Sequence, residues 1–144
     1  MNKVRLLLLS ITLLPLTAAA AEEFNGTSPM LCEPLRGHDC LPTETACKPL
    51  KPEPGKDLNM RFDVQKMIVR APYRNDTLPI QSFGYNSKSL VMQGTSLDLV
   101  WSAAINRTTG QLTIAIADRE GAYVVFGQCR LERTDTPAAK QQSR

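Results

Sequence analysis

The side chains best equipped for chemistry lie close together: Cys32, His38, Cys40 and Cys47 supply three thiols and an imidazole, a complete tetrahedral set for zinc. Successive thiols stand further apart than in knuckle-type zinc sites, and an even number of cysteines in an exported chain reads first as disulfides. Four cysteines, Cys32, Cys40, Cys47 and Cys129, allow three pairings, and the sequence does not choose rigorously among them. We favour Cys47 with Cys129 and Cys32 with Cys40. In the chain-entropy model the first would close about 83 residues, for about 4.5 kcal/mol, and the second about nine, for about 2.6 kcal/mol. His38 is the single histidine and sits beside Asp39; it reads as an exposed loop side chain, and without it no Ser-His-Asp or Cys-His system can be built.

Other routes to catalysis are equally thin. No Gly-x-Ser-x-Gly elbow is present. Asp118 and Glu120 fall in a turn of alternating charge, where solvation explains both. Gly94, Gly110, Gly121 and Gly127 stand singly, as turn or strand-end glycines rather than a phosphate loop. Arg70, Arg74, Lys88 and Arg107, with Tyr73, Phe83 and Tyr85, are the one combination that would suit an oligonucleotide-binding barrel. Met60, Met67 and Met92 occur singly and read as core filler, and Trp101 falls in phase with Leu97 and Leu99 as core. The expectation is a protein that is not an enzyme, with no cofactor and no metal.

The start of the chain carries an export pattern: Lys3 and Arg5, an apolar run over Leu6–Leu16, and small residues over Ala18–Ala21. This reads as a signal peptide over 1–21, cleaved near Ala21, with a run too short to span a bilayer. The 17 Lys and Arg lose two members there and the 14 Asp and Glu lose none, so the net charge of +3 falls to +1. The short signal ending in alanines fits a periplasmic location best. A near-neutral exported chain is expected to have no nucleic acid as partner, and no later run is long and apolar enough for a membrane span.

Residues 22–56 carry Pro29, Pro34, Pro42, Pro49, Pro52 and Pro54 and no sustained apolar period, which predicts an irregular arm pinned by its cysteines. Residues 134–144 are polar with Pro137 and read as a disordered tail. Between them, over 57–133, the period is two. Leu58, Met60, Phe62 and Val64 alternate with polar residues, and the phase breaks at Lys66 before Met67-Ile68-Val69. Strands are expected at Leu78–Phe83 and Ser89–Gln93 around a turn at Gly84-Tyr85-Asn86-Ser87. Leu97, Leu99, Trp101, Ala103 and Ile105 give five inward positions. A loop over Asn106–Gly110 leads to Leu112, Ile114 and Ile116, and a turn over Asp118–Gly121 leads to Tyr123–Phe126 and Cys129. Six short strands predict an all-β fold, a small antiparallel meander curled into a closed or partly closed barrel, with the favoured Cys47–Cys129 bridge tying its seam.

The segment Ile105-Asn106-Arg107-Thr108-Thr109-Gly110, followed by Gly127-Gln128-Cys129, resembles the C-terminal signature of small uncharacterised proteobacterial periplasmic β-barrel proteins. There an Ile-Asp-Arg-x-Thr-Gly turn precedes a strand and a final Gly-x-Cys. Asn106 stands here for the more usual Asp, and either side chain can bond the turn backbone. The chain is more distantly similar to periplasmic inhibitors of C-type lysozyme, small antiparallel barrels with a cysteine near each end. Their Ser-Gly-x-x-Tyr type loop has no counterpart: Gln93-Gly94-Thr95-Ser96 has another order and Tyr85 another position. The resemblances imply a barrel more than an activity. The expected function is a non-catalytic exported β domain binding a protein or cell-envelope component. A lysozyme-inhibitor-like protein and a carrier of a small apolar ligand are the alternatives.

Overall fold

A computed structural model describes residues 23–51, 57–71 and 76–132. The expected signal peptide and tail, together with Tyr73 and Arg74, lie outside the described residues. Within them the chain forms ten antiparallel strands and no helix: β1 (Met30–Cys40), β2 (Lys48–Pro49), β3 (Met60–Asp63), β4 (Ile68–Ala71), β5 (Asp76–Pro79), β6 (Ser82–Tyr85), β7 (Ser89–Ser96), β8 (Leu99–Asn106), β9 (Gln111–Asp118) and β10 (Ala122–Leu131).

One sheet holds them in the order β5-β4-β3-β1-β10-β9-β8-β7-β6, with β2 paired to β1. Its two edges, β5 and β6, are consecutive in the chain. Ile80 N donates to Met67 O at 2.8 Å on the β4 side, and Gln81 N donates to Gln93 O at 2.9 Å on the β7 side. The chain thus steps from one edge to the other across two residues, and the sheet curls into a partly closed barrel. Such a step leaves little unpaired backbone for edge-to-edge aggregation.

The inside is built from every second residue. Phe62, Met30, Leu90, Met92, Ile105 and Leu112 are almost fully buried, with Trp101 tilted against Phe62 at a ring separation of 6.4 Å. Trp101 is therefore core, as its phase predicts. Phe24 joins this core from the segment ahead of β1, its N–H donating to Arg107 O at 2.9 Å. Gly110, at φ +72°, is where the β8–β9 loop passes under it: a Cβ there would lie 2.6 Å from the Phe24 ring. The break expected at Lys66 is a turn over Val64–Met67, in which the buried Asp63 carboxylate accepts from Lys66 N at 3.1 Å and lies 3.4 Å from Arg61 Nη1.

Ten strands stand where six were expected, and the structure corrects the sequence reading in four further places. First, the supposed irregular arm holds β1, an eleven-residue strand between β3 and β10 in the middle of the sheet. Its prolines hide it: Pro34 sits at a register shift between Pro34 and Arg36, where a bulge absorbs the missing donor, and Pro49 is in the two-residue β2 at the border.

Second, the bridges are Cys32–Cys129 and Cys40–Cys47, not Cys47–Cys129 and Cys32–Cys40. Once β1 pairs with β10, Cys32 falls directly opposite Cys129, with Cα atoms 3.9 Å apart. Cys40 and Cys47 close the turn between β1 and β2. The sheet's seam is the Ile80–Gln81 step and carries no disulfide.

Third, Leu97 does not face inward but stands fully exposed at the β7–β8 tip, because β8 begins only at Leu99. Fourth, Leu78–Phe83 is not one strand but the end of β5, the edge-switching step and the start of β6, while Gly84 and Tyr85 belong to β6 rather than to the turn.

The two bridges differ in access. Cys32 and Cys129 are 0% and 4% exposed, whereas Cys47 is on the surface. Thiol–disulfide exchange needs attack on an accessible sulfur. Under a mild reductant followed by alkylation and mass mapping, Cys40 and Cys47 are expected to be labelled first, with Cys32 and Cys129 protected until the fold opens. Labelling in the reverse order would overturn this placement.

Candidate functional site

The supposed metal set is dispersed by the fold. Cys32 points inward and is bonded to Cys129, Cys40 is bonded to Cys47, and His38 stands opposite Val124 and Pro49 on β1. Among the described residues, no group of three or more His, Cys, Asp and Glu is placed to hold a metal ion. Asp118 and Glu120 lie at the β9–β10 turn, where Asp118 Oδ1 accepts from Glu120 N at 2.7 Å and from Gly121 N at 2.9 Å. Nearby, Tyr123 is pushed above the usual phenol range by burial and by the carboxylates of Asp39, Asp118 and Glu120.

Of the basic aromatic combination, Arg70 lies on β4, Phe83 and Tyr85 on β6, Lys88 in the turn before β7 and Arg107 in the loop after β8. Arg107 is a structural tie. Its guanidinium stacks over the Tyr85 ring at 5.1 Å, donates to Asn86 O, and reaches Glu23 Oε2 at 2.6 Å. It thereby fastens the N-terminal segment and the β6–β7 turn to the β8–β9 loop. Asn106, the residue that departs from the resembled motif, accepts from Thr108 N at 3.0 Å and Thr109 N at 2.9 Å, so it performs the turn-capping role expected of Asp.

What the fold does assemble is a surface. Because Leu90, Met92, Trp101, Ala103, Ile105, Leu112 and Ile114 point into the core, the alternate residues of β7, β8 and β9 must point outward. Strand register aligns them in three rows: Gly84, Val91, Ala104, Thr113 and Phe126; Ser82, Gln93, Ser102, Ala115 and Val124; Thr95, Val100, Ala117 and Ala122. None of these fourteen carries a charge, in a chain that is 22% charged. With roughly 30% of surface positions charged in an ordinary soluble domain, such a run would arise about once in 150 trials. Val91 and Val100 are 40% and 53% exposed on it, and Arg36 borders it, its guanidinium 4.8 Å from the Phe126 ring centroid.

The face has unlike ends. At the β7–β8 tip and the β9–β10 turn stand Asp98, Asp118, Arg119 and Glu120, around a shallow open depression of about 390 Å³ that Leu97, Leu99 and Val100 help to line. At the opposite end stand Lys88, Arg107 and Arg130. Sequence reasoning missed this face because it used the inward half of each alternation and left the outward half unread; checking the outward members for charge was the available signal. It missed Phe24 and Arg107 as partners because contacts between distant segments leave no periodic trace.

Fold and surface together define a small disulfide-stapled all-β module whose most distinctive patch is an uncharged sheet face. No protein-family model, no curated protein and no solved structure matches the chain.

Proposed function

We propose that this chain is an exported, non-catalytic binding module of the periplasm, delivered by the signal sequence at 1–21, that engages a protein or cell-envelope component through the outward face of β6–β10. The observation that carries the reading is the uncharged, exposed face itself. Depletion of charge is the compositional mark of the centre of a protein interface, while charges gather at its rim; here Arg36, Asp118, Glu120, Lys88 and Arg130 surround it. Two disulfides suit an oxidising compartment. Among the described residues, no helix is long and apolar enough to cross a membrane. The side chains that fill the inside of the barrel favour its outside as the binding surface.

Capture from a cell-envelope extract tests the reading, with the wild type compared against Ala115→Lys as bait. Ala115 is exposed at the centre of the face, so lysine there leaves the fold intact and places an ammonium where an interface would need to be dry. A component retained by the wild type and lost by the variant is expected. Equal retention by both would remove the face from the function.

A further inference from the structure

Resting on that reading of the face, we propose that its partner is a second copy of this chain, docked face to face about a two-fold axis that runs across the strands. In a closed two-fold contact the same patch meets itself, so any charge on it near the axis would meet its own like charge. The uncharged face avoids that conflict, whereas β3 and β4 present Arg61 and Arg70 directly opposite each other in the register.

The ends of the face fix the direction of the axis. An axis across the strands reverses them, which lays the acidic end of one copy over the basic end of the other. This axis keeps each strand over its own counterpart, so Asp98 at the β7–β8 tip would approach the second copy's Lys88 beside β7, and Glu120, partly offset by Arg119, its Arg130 on β10. Of the acids near the basic end, Glu23 and Glu132 are already engaged by Arg107 and Arg61, leaving Glu33 at the border. An axis along the strands would instead oppose acid to acid.

Small side chains at Ala104, Ala115, Ala117 and Ala122 let two sheets approach to the spacing of about 10 Å found between packed sheets. The area sets the strength. Five strands about 4.8 Å apart and about seven residues long give about 550 Å² per copy, roughly two thirds of the 800 Å² or so that each partner contributes to a stable complex. The dimer is therefore weak and reversible, formed where the chain is concentrated.

Sedimentation velocity of the purified protein from about 10 µM to about 1 mM spans the affinities such a contact allows. The wild type is expected to shift from the monomer towards the dimer value across that range. Ala115→Lys and Ser102→Glu are expected to stay at the monomer value throughout, with unchanged thermal midpoints because both positions are exposed. Lys88→Glu, which sets acid against acid at the ends, is expected to weaken association several-fold. A wild type that remains monomeric at the highest concentration would overturn the second-copy proposal, as would association undiminished in both face variants. If the wild type is monomeric yet its envelope capture is lost in Ala115→Lys, the face still binds a different partner, so failure of this proposal is told apart from failure of the reading beneath it.

Discussion

Replacing Cys129 by Ser is expected to remove about 5 kcal/mol of stability, a large share of what keeps the domain folded. The Cys32–Cys129 bridge joins residues 97 apart in sequence. Closing a loop of that length reduces the entropy of the unfolded chain by an amount worth about 4.7 kcal/mol. The site adds to this, since both sulfurs lie in the core and the variant buries a serine hydroxyl and an unpaired thiol there. Domains of this size are stable by only about 5–15 kcal/mol, so the loss is a large share of the whole.

The companion variant makes the pairing itself testable. Cys40–Cys47 spans a separation of seven, worth about 2.5 kcal/mol by the same reasoning, and it lies at the surface. Urea midpoints should therefore separate Cys47→Ser from Cys129→Ser by about 2 kcal/mol. Equal losses in the two variants would restore the Cys47–Cys129 pairing that the sequence favours and sink the one described above.

That pairing shows how far the sequence could be read. Period-two alternation is a local signal, and wherever the core residues were unbroken, as in Leu112, Ile114 and Ile116 or Trp101, Ala103 and Ile105, it located strands and their inward faces correctly. It failed where local chemistry opposed tertiary context. Met30 and Cys32 alternate with Leu31 and Glu33 in the right phase, but Pro29, Pro34 and Gly37 argue against a strand, and only pairing on both sides by β3 and β10 makes one. With β1 unseen, Cys32 had no strand to place it opposite Cys129, and the disulfides were assigned by position in the chain instead of in the sheet. Leu97 shows the opposite error: it keeps the inward phase of β8 but lies before the strand starts, so the tip turns it to solvent. The uncharged face was hidden for a simpler reason, since it is defined by the absence of charge over residues that become neighbours only when five strands align.

Gly94→Ala is expected to cost about 3 kcal/mol or more, a large effect for one methyl group, and it probes the step that closes the barrel. Gly94 points inward on β7, opposite Trp101. A Cβ at this position would lie 2.3 Å from Pro79 O and 2.8 Å from Trp101 Nε1. The first contact is with backbone, at the point where the chain leaves β5 to cross to β6, and no rotamer change relieves it. Accommodation requires the crossing segment to lift from β7, which strains the Gln81 N to Gln93 O and Ile80 N to Met67 O hydrogen bonds together. The second contact presses on an indole whose N–H is buried without a hydrogen-bond partner and whose ring packs on Phe62. Overpacking of this kind commonly costs about 1–3 kcal/mol even where side chains can yield, and here the backbone must move. Gly84→Ala on the neighbouring β6 is the control, since a Cβ there meets nothing within 4 Å, and a change within about 0.5 kcal/mol is expected. Trp101 is the only tryptophan, so its fluorescence during urea unfolding reports on this corner of the core directly. If the two glycine variants unfold at the same midpoint, Pro79 does not lie over Gly94, and the sheet is open where the structure closes it.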